Sequence, residues 1–131
     1  MRILFDTNVL VAAFLKGGAS YEVIEQAVHE HEIYYTIFII GEFRKIFKDK
    51  FHYPAAVVNE FAEFIESFFI KGITAGAIEN ICRDSNDDQV LADAVINRIN
   101  VIITGDKDLL YLKTYKSIRI IHPKEYWNLL L

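Results

Sequence analysis

A small set of carboxylates sits where solvated acids are not expected, and these residues carry whatever chemistry the chain can do. Asp6 follows the apolar run Ile3-Leu4-Phe5 directly and precedes a second apolar run, Val9 to Leu15. It therefore lies where a strand hands over to a helix. In open α/β sheets, ligands bind at the carboxyl ends of the strands. Asp106 repeats the arrangement, leaving the run Val101-Ile102-Ile103-Thr104 through Gly105, with Asp108 close behind. Glu42 is three residues after Ile39 and four before Ile46, so it lies on the apolar stripe of its helix and not on the wet face. Asp87 and Asp88 open a helix whose apolar residues are Val90, Leu91, Ala94 and Val95, and both align with that face.

Each acid taken singly has an ordinary explanation. Asp87 and Asp88 can cap free N–H groups and suit the helix dipole, for about 0.3–1 kcal/mol each. Asp106 can close an Asx turn. Glu42 can pair with Arg44 or reach out from the edge of the stripe. Taken together, the acids fall at corresponding ends of their elements. Carboxylates gathered in one place repel, and some stay protonated at neutral pH. A hard divalent cation removes the conflict: Mg²⁺ or Mn²⁺ prefers oxygen ligands. Such a centre lowers the pKa of a bound water and clamps a phosphate during in-line displacement. The chemistry indicated is metal-assisted phosphodiester hydrolysis.

The elements that must position these residues can be read from periodicity. Residues 2–5 are predicted as strand, and a helix follows from Thr7 to Leu15, ended by Gly17-Gly18. Ser20 is placed to cap a second helix. Residues 33–36 read as a strand, with Thr36 capping a helix from Phe38 to Lys48. Pro54 suits the first turn of the next helix. That helix carries Val57, Val58, Phe61, Phe64, Ile65 and Phe68 as its apolar stripe. Ile73-Thr74 is expected to be a short edge strand. A polar loop at 83–86 leads into a helix from Asp87 to Arg98. Strands at 101–104 and 118–121 enclose a short helix at 109–112, and Pro123 opens a final helix. Strands alternating with helices predict a three-layer α/β/α domain on a mainly parallel sheet.

The bulk properties agree with a single domain over residues 1–131. Hydrophobic residues make up 53% of the chain and aromatics 14%, enough for one sizeable core. No apolar run reaches the ~20 residues of a membrane span, and Asp6 falls too early for a signal peptide's apolar core. A lone cysteine, Cys82, excludes an internal disulfide framework. A cytoplasmic protein is expected. The net charge of −4 argues against a general nucleic-acid coat but not against a nuclease with a metal-charged cleft. The basic groups Arg44-Lys45-Lys48-Lys50 and Lys107-Lys113-Lys116 read as solvated faces. His29, His31, His52 and His122 fall outside the acidic motifs and read as surface or packing residues, and Cys82 as a small buried side chain.

Asp6-Thr7-Asn8-Val9-Leu10, the in-helix Glu42, Arg83-Asp84-x-x-Asp87-Asp88-x-x-Leu91-Ala92-x-Ala94 and Thr104-Gly105-Asp106-Lys107-Asp108-Leu109-Leu110 together resemble PIN-domain proteins. Their order is most similar to the VapC-related toxin components of toxin–antitoxin pairs. Two positions depart from the usual pattern, Ser85 where a proline commonly follows the Asp, and Phe43 where a smaller aliphatic is common. The resemblance implies a PIN-like α/β/α fold and Mg²⁺- or Mn²⁺-dependent endoribonuclease activity on RNA. It implies a site made of Asp6, Glu42, Asp87 and Asp106, with Asp88 and Asp108 able to replace a neighbour. Thr7, Asn8 and Thr104 would orient the carboxylates. It further implies attack by water that leaves a 5′-phosphate and a 3′-hydroxyl. An antitoxin protein is the expected partner. A homodimer is expected, and the large apolar residues on the amphipathic helices at 20–30 and 54–70 offer a surface for it or for a partner, with ordinary core packing as the alternative for these residues.

Two other readings of the same residues stay open at this point. One is a non-catalytic RNA- or partner-binding module of the same fold. The other is a phosphoacceptor or phosphatase-like α/β domain with Asp6 as nucleophile and Lys107 as its lysine, although Asn8 stands where a dehalogenase-type site wants a second Asp.

Overall fold

The structure, a computed structural model, describes residues 1–130. Its elements in order are β1 (Arg2–Phe5), α1 (Thr7–Lys16), α2 (Gly18–Glu30), β2 (Glu32–Tyr35), α3 (Ile37–Lys45), α4 (Ala55–Phe68) and β3 (Ile70–Lys71). After these come α5 (Ser85–Ile96), β4 (Val101–Ile103), α6 (Lys107–Leu112), β5 (Thr114–Tyr115) and β6 (Ile118–Ile121). A π-helical turn (Ile46–Lys50) prolongs α3, and a 3₁₀ helix (Pro123–Leu130) follows β6.

The six strands run in the order β3-β2-β1-β4-β6-β5, and every pair is parallel except β5 with β6. The expected mainly parallel α/β architecture is what the chain adopts. Strands β1 and β4 lie at the centre, where Ile3, Leu4, Phe5 and Val101 to Ile103 are fully buried. Helices cover both faces there, which is why these strands read as unbroken apolar runs and not as alternating ones. The chain winds outwards from β1 to β2 and β3, then returns to β4 on the other side of β1. The strand order therefore reverses between β1 and β4, and the register sets Phe5 beside Ile103. The next residue on each strand, Asp6 and Thr104, emerges into the crevice at that switch point.

Aromatic packing fixes the helices that face this crevice. Phe14 of α1 meets Phe43 edge-on at 5.4 Å, and also Phe61 and Phe64 of α4. Phe47, in the π turn, packs on Phe43, Tyr53 and Phe61. Of the adjacent pair at the end of α4, Phe69 is buried and Phe68 is 57% exposed.

Several boundaries differ from the sequence expectation for identifiable reasons. α2 starts at Gly18 with Gly17 (φ +72°) in the cap position, so Ser20 lies inside the helix and caps nothing. Pro54 precedes α4 as its cap residue and is not in its first turn. The edge strand is Ile70–Lys71 and not Ile73-Thr74. The Asn97 side chain has taken the strand's place at Ile73: its Oδ1 accepts from Ile73 N at 2.8 Å, and its Nδ2 donates to Ile73 O at 2.7 Å. Gly72 makes the approach possible, since a Cβ there would lie 2.7 Å from Asn97 Oδ1. α5 begins two residues early, at Ser85, because Asp84 Oδ1 accepts from Asn86 N and serves as the cap.

Asp93, which the sequence reading did not single out, holds the segment after β3 against the body. It is fully buried on α5. Its carboxylate accepts from Thr36 Oγ1 (2.8 Å), Ala75 N (2.7 Å) and Gln89 Nε2 (2.8 Å). Asp93→Ala leaves Thr36 Oγ1 and Ala75 N without this acceptor, while Gln89 Nε2 keeps Ala75 O, and an orphaned buried donor costs about 1–3 kcal/mol. The expected loss is about 3 kcal/mol. With a urea m-value of about 2 kcal/mol/M, the unfolding midpoint should fall by about 1–2 M, and Asp93→Asn by less.

Candidate metal centre

The cleft at the switch point is a small concavity of about 160 Å³, lined by Asp6, Thr7, Asn8, Glu42, Ile46, Asp84, Asn86, Asp87, Val90 and Asp106. Four elements supply its acids. Asp6 comes from the end of β1, Glu42 from α3, Asp84 and Asp87 from the start of α5, and Asp106 from the loop after β4. The π turn adds Ile46 to the rim; such turns recur at functional sites.

Asp6 is both a helix cap and a cleft residue. Its Oδ1 accepts from Thr7 N at 2.8 Å. Its Oδ2 accepts from Thr104 Oγ1 at 2.8 Å and from Asn8 Nδ2 at 3.0 Å. The backbone joins the same strands, with Asp6 N donating to Ile103 O. Thr104 is fully buried, and its hydroxyl oxygen also accepts from Asp106 N at 3.0 Å. Asn8 spans the two strand ends, since its Oδ1 accepts from Gly105 N. Thr7 Oγ1 donates to Glu42 Oε1 at 3.1 Å. Asp106 Oδ1 caps α6 by accepting from Asp108 N and Leu109 N. Thr7, Asn8 and Thr104 therefore aim and hold three of the acids.

Asp87 is the exception. It is buried, and among the described residues its Oδ2 has no hydrogen-bond partner. One oxygen each from Asp87, Asp106 and Asp108 lie within 4.8 Å of one another. Burial, followed by the charges of Asp106, Asp6, Asp84 and Asp108, pushes the Asp87 carboxyl up to about 7. Burial also raises Asp6, against the hydrogen bonds from Thr104, Thr7 and Asn8, and Asp106 adds to the rise. Glu42 is raised mainly by burial, with Asp6 and Asp84 contributing. An all-oxygen donor set in one cleft, with Asp6, Glu42 and Asp87 each raised in part by neighbouring carboxylates and one buried oxygen left unpaired among the described residues, fits a hard divalent cation.

Asp88 stands apart from this group. Its Oδ1 accepts from Ile81 N and Cys82 N and ties down the loop before α5. Asp108 faces the cluster but is bound by Arg83, with Oδ1 accepting from Nη2 at 2.6 Å. Asp84 and Asn86 line the cleft without having been proposed as site residues. The signal for Asp84 lay in the same acidic block, within the stretch read as a polar loop at 83–86. Cys82 is pushed up to about 11, chiefly by burial, so its thiol stays protonated at neutral pH.

The hydroxyls allow a separate test of positioning. Thr104→Val removes the donor to Asp6 and the acceptor for Asp106 N with little change of shape. Groups that orient ligands in this way are worth about 10–100-fold in metal affinity or activity, and Mn²⁺ affinity read by titration calorimetry should fall within that range.

A family model of the PIN domain matches residues 2–108. The uncharacterized protein MJ1680 of Methanocaldococcus jannaschii is 27% identical over 139 aligned positions, covering 96% of this chain and 89% of that protein. Among solved structures, VapBC2 from Rickettsia felis, bound to a DNA fragment from their promoter, contains a similar chain. The TM-score is 0.65 at 14% identity, over 92% of this chain and 97% of that one. At that identity the likeness concerns the fold.

Proposed function

The chain belongs to the PIN-domain family, and from that premise we propose that it is an endoribonuclease dependent on Mg²⁺ or Mn²⁺, with Asp6, Glu42, Asp87 and Asp106 as the site. The observation that carries the reading is Asp87 Oδ2, a buried carboxylate oxygen without a partner among the described residues, facing other acids at the sheet's switch point.

Asp6 and Asp87 would hold the principal cation, and Glu42 and Asp106 a second ion or the attacking water. When bound, the cation would offset the carboxylate charge, acidify water and draw electron density from the scissile phosphate. The residues of the chain do the rest. Thr104 and Asn8 favour the ionised form of Asp6 against the effect of burial and fix its direction, and Thr7 holds Glu42 at one oxygen. The α6 cap leaves Asp106 only its other oxygen for the cleft. Water oxygen would bond to phosphorus as the bond to the 3′ oxygen breaks, giving a 5′-phosphate and a 3′-hydroxyl.

Incubating purified protein with a mixed RNA pool and Mg²⁺ or Mn²⁺ tests this directly. Cleavage that EDTA stops is expected. RNA left intact with either metal would contradict the reading.

An antitoxin partner and a homodimer belong to the same proposal. The Rickettsia felis relative is described as VapBC2 bound to promoter DNA, which supports the first. Ile37, Phe68, Ile70 and Ile73 are all more than 40% exposed near the β3 edge, which supports an interface there. Phe68→Glu is expected to convert a dimer to a monomer in sedimentation without changing the melting temperature of the monomer. No described helix is long and apolar enough to cross a membrane.

A further inference from the structure

A second groove, of about 590 Å³, runs along the other side of Asn8 and Asp106. It lies between the α1–α2 junction and the start of the 3₁₀ helix. We propose that this groove binds the nucleotide next to the scissile phosphate of a single-stranded RNA, an inference that rests on the ribonuclease reading of the acid cleft.

The two cavities share a wall. Asn8 Nδ2 donates to Asp6 in the acid cleft, while Asn8 Oδ1 accepts from Gly105 N on the groove side. Asp106 lines both. A strand whose phosphate lies among the acids must continue past this wall. The groove has room for it because its lining is small: Ala12, Ala19, Ser20 and Gly105 present little side chain. Its volume falls in the range of small-ligand sites, about 300–1,000 Å³.

The rim supplies what a polyanion beside an acidic cleft needs. Lys124 brings an exposed ammonium group. His122 Nδ1 accepts from Lys124 N at 3.1 Å, which leaves Nε2 as the protonated nitrogen of the neutral ring and a donor. The one acid on this turn, Glu125, is turned to the backbone at one oxygen, where Oε1 accepts from His122 N. Val9 and Pro123, both buried, close the apolar floor of the groove.

A more basic groove exists on α3 and α4, lined by Arg44, Lys45, Lys48 and Tyr53. It shares no lining residue with the acid cleft, and Arg44 is already engaged by Asn59 and Glu66. Continuity therefore favours the groove at His122 and Lys124, and the basic groove serves as the control.

Cleavage kinetics of the full chain with Mn²⁺ decide the matter, on a labelled single-stranded RNA and on bis(p-nitrophenyl) phosphate. Lys124→Glu and Ala19→Phe change exposed positions and should leave the melting temperature unchanged. Each is expected to raise KM for RNA about 10-fold while hydrolysis of the small diester stays within 2-fold. Lys124→Gln should lower the slope of log KM against log salt by about 1. Lys48→Glu should change the RNA KM less than 3-fold. Groove variants with the wild-type KM would overturn the proposal while leaving the nuclease reading intact. So would a Lys48→Glu effect as large as theirs, or equal losses on both substrates. A wild-type chain that cleaves no RNA would overturn the nuclease reading and the groove with it.

Discussion

Asp6→Asn should reduce RNA cleavage at least about 10³-fold, a loss of about 4 kcal/mol of barrier lowering, and leave the chain folded. The amide keeps one oxygen for the Thr7 N–H but exchanges the other carboxylate oxygen for an NH₂, which accepts from neither Thr104 Oγ1 nor Asn8 Nδ2. It also removes the charge at the centre of the cleft. The fold tolerates the change because burial already raises the Asp6 carboxyl, so part of what the mutation removes is charge repulsion in the metal-free protein. Single-turnover cleavage with Mn²⁺ in excess measures the effect, with circular dichroism as the control for folding. A variant that cuts as fast as the wild type would remove Asp6 from the mechanism. It would also revive the readings in which the acids are only caps.

Asp87→Asn should make the metal-free protein more stable while removing its response to metal. The sign follows from the raised carboxyl. With the native group titrating near 7 and the free side chain at 3.8, the native state binds more protons between those values. Stability of the metal-free wild type then declines as pH rises from about 4 to about 7. Below pH 4 the carboxyl is protonated in both states and contributes nothing. The Asn variant has no such decline. At pH 8 without metal it should melt about 5 °C above the wild type, and the gap should close as the pH approaches 4. Adding Mn²⁺ should reverse the order at pH 8, because a ligand that binds only the native state raises its stability. A wild type more stable than the variant at pH 8 in EDTA would mean that Asp87 is a structural cap.

These two substitutions concern acids that their positions singled out and that the family resemblance assigned to one site. Asp6 and Asp106 were legible because a parallel sheet announces its central strands as apolar runs, and whatever follows such a run lies at the strand's carboxyl end. Glu42 was legible because helical periodicity put a charge on an apolar stripe. Asp87 and Asp88 show where periodicity stops. Both align with the buried face of α5, and both are buried. Only the path of the preceding loop separates them: Ile81 N and Cys82 N come down onto Asp88, whereas Asp87 Oδ2 meets no donor among the described residues. A loop without periodicity gives no sequence signal for such a path. Asp93 was missed for a related reason. Its three donors come from Thr36, Ala75 and Gln89, of which only Gln89 is a neighbour in sequence. The misplaced edge strand has the same origin, since Asn97 completes the backbone of Ile73 from a distance of 24 residues. The orienting roles of Thr7 and Thr104 came from the family resemblance, and the hydrogen bonds now supply their physical basis.

The acid cluster as a cation site can be tested without any RNA. Mn²⁺ binding followed by electron paramagnetic resonance, on the wild-type chain and on Asp87→Asn, reports the site itself. The wild type should remove Mn²⁺ from the free-ion signal with saturable stoichiometry, and Asp87→Asn should weaken binding at least about 10-fold. Equal binding by the two proteins, or no saturable binding by the wild type, would contradict a metal centre at Asp6, Glu42, Asp87 and Asp106.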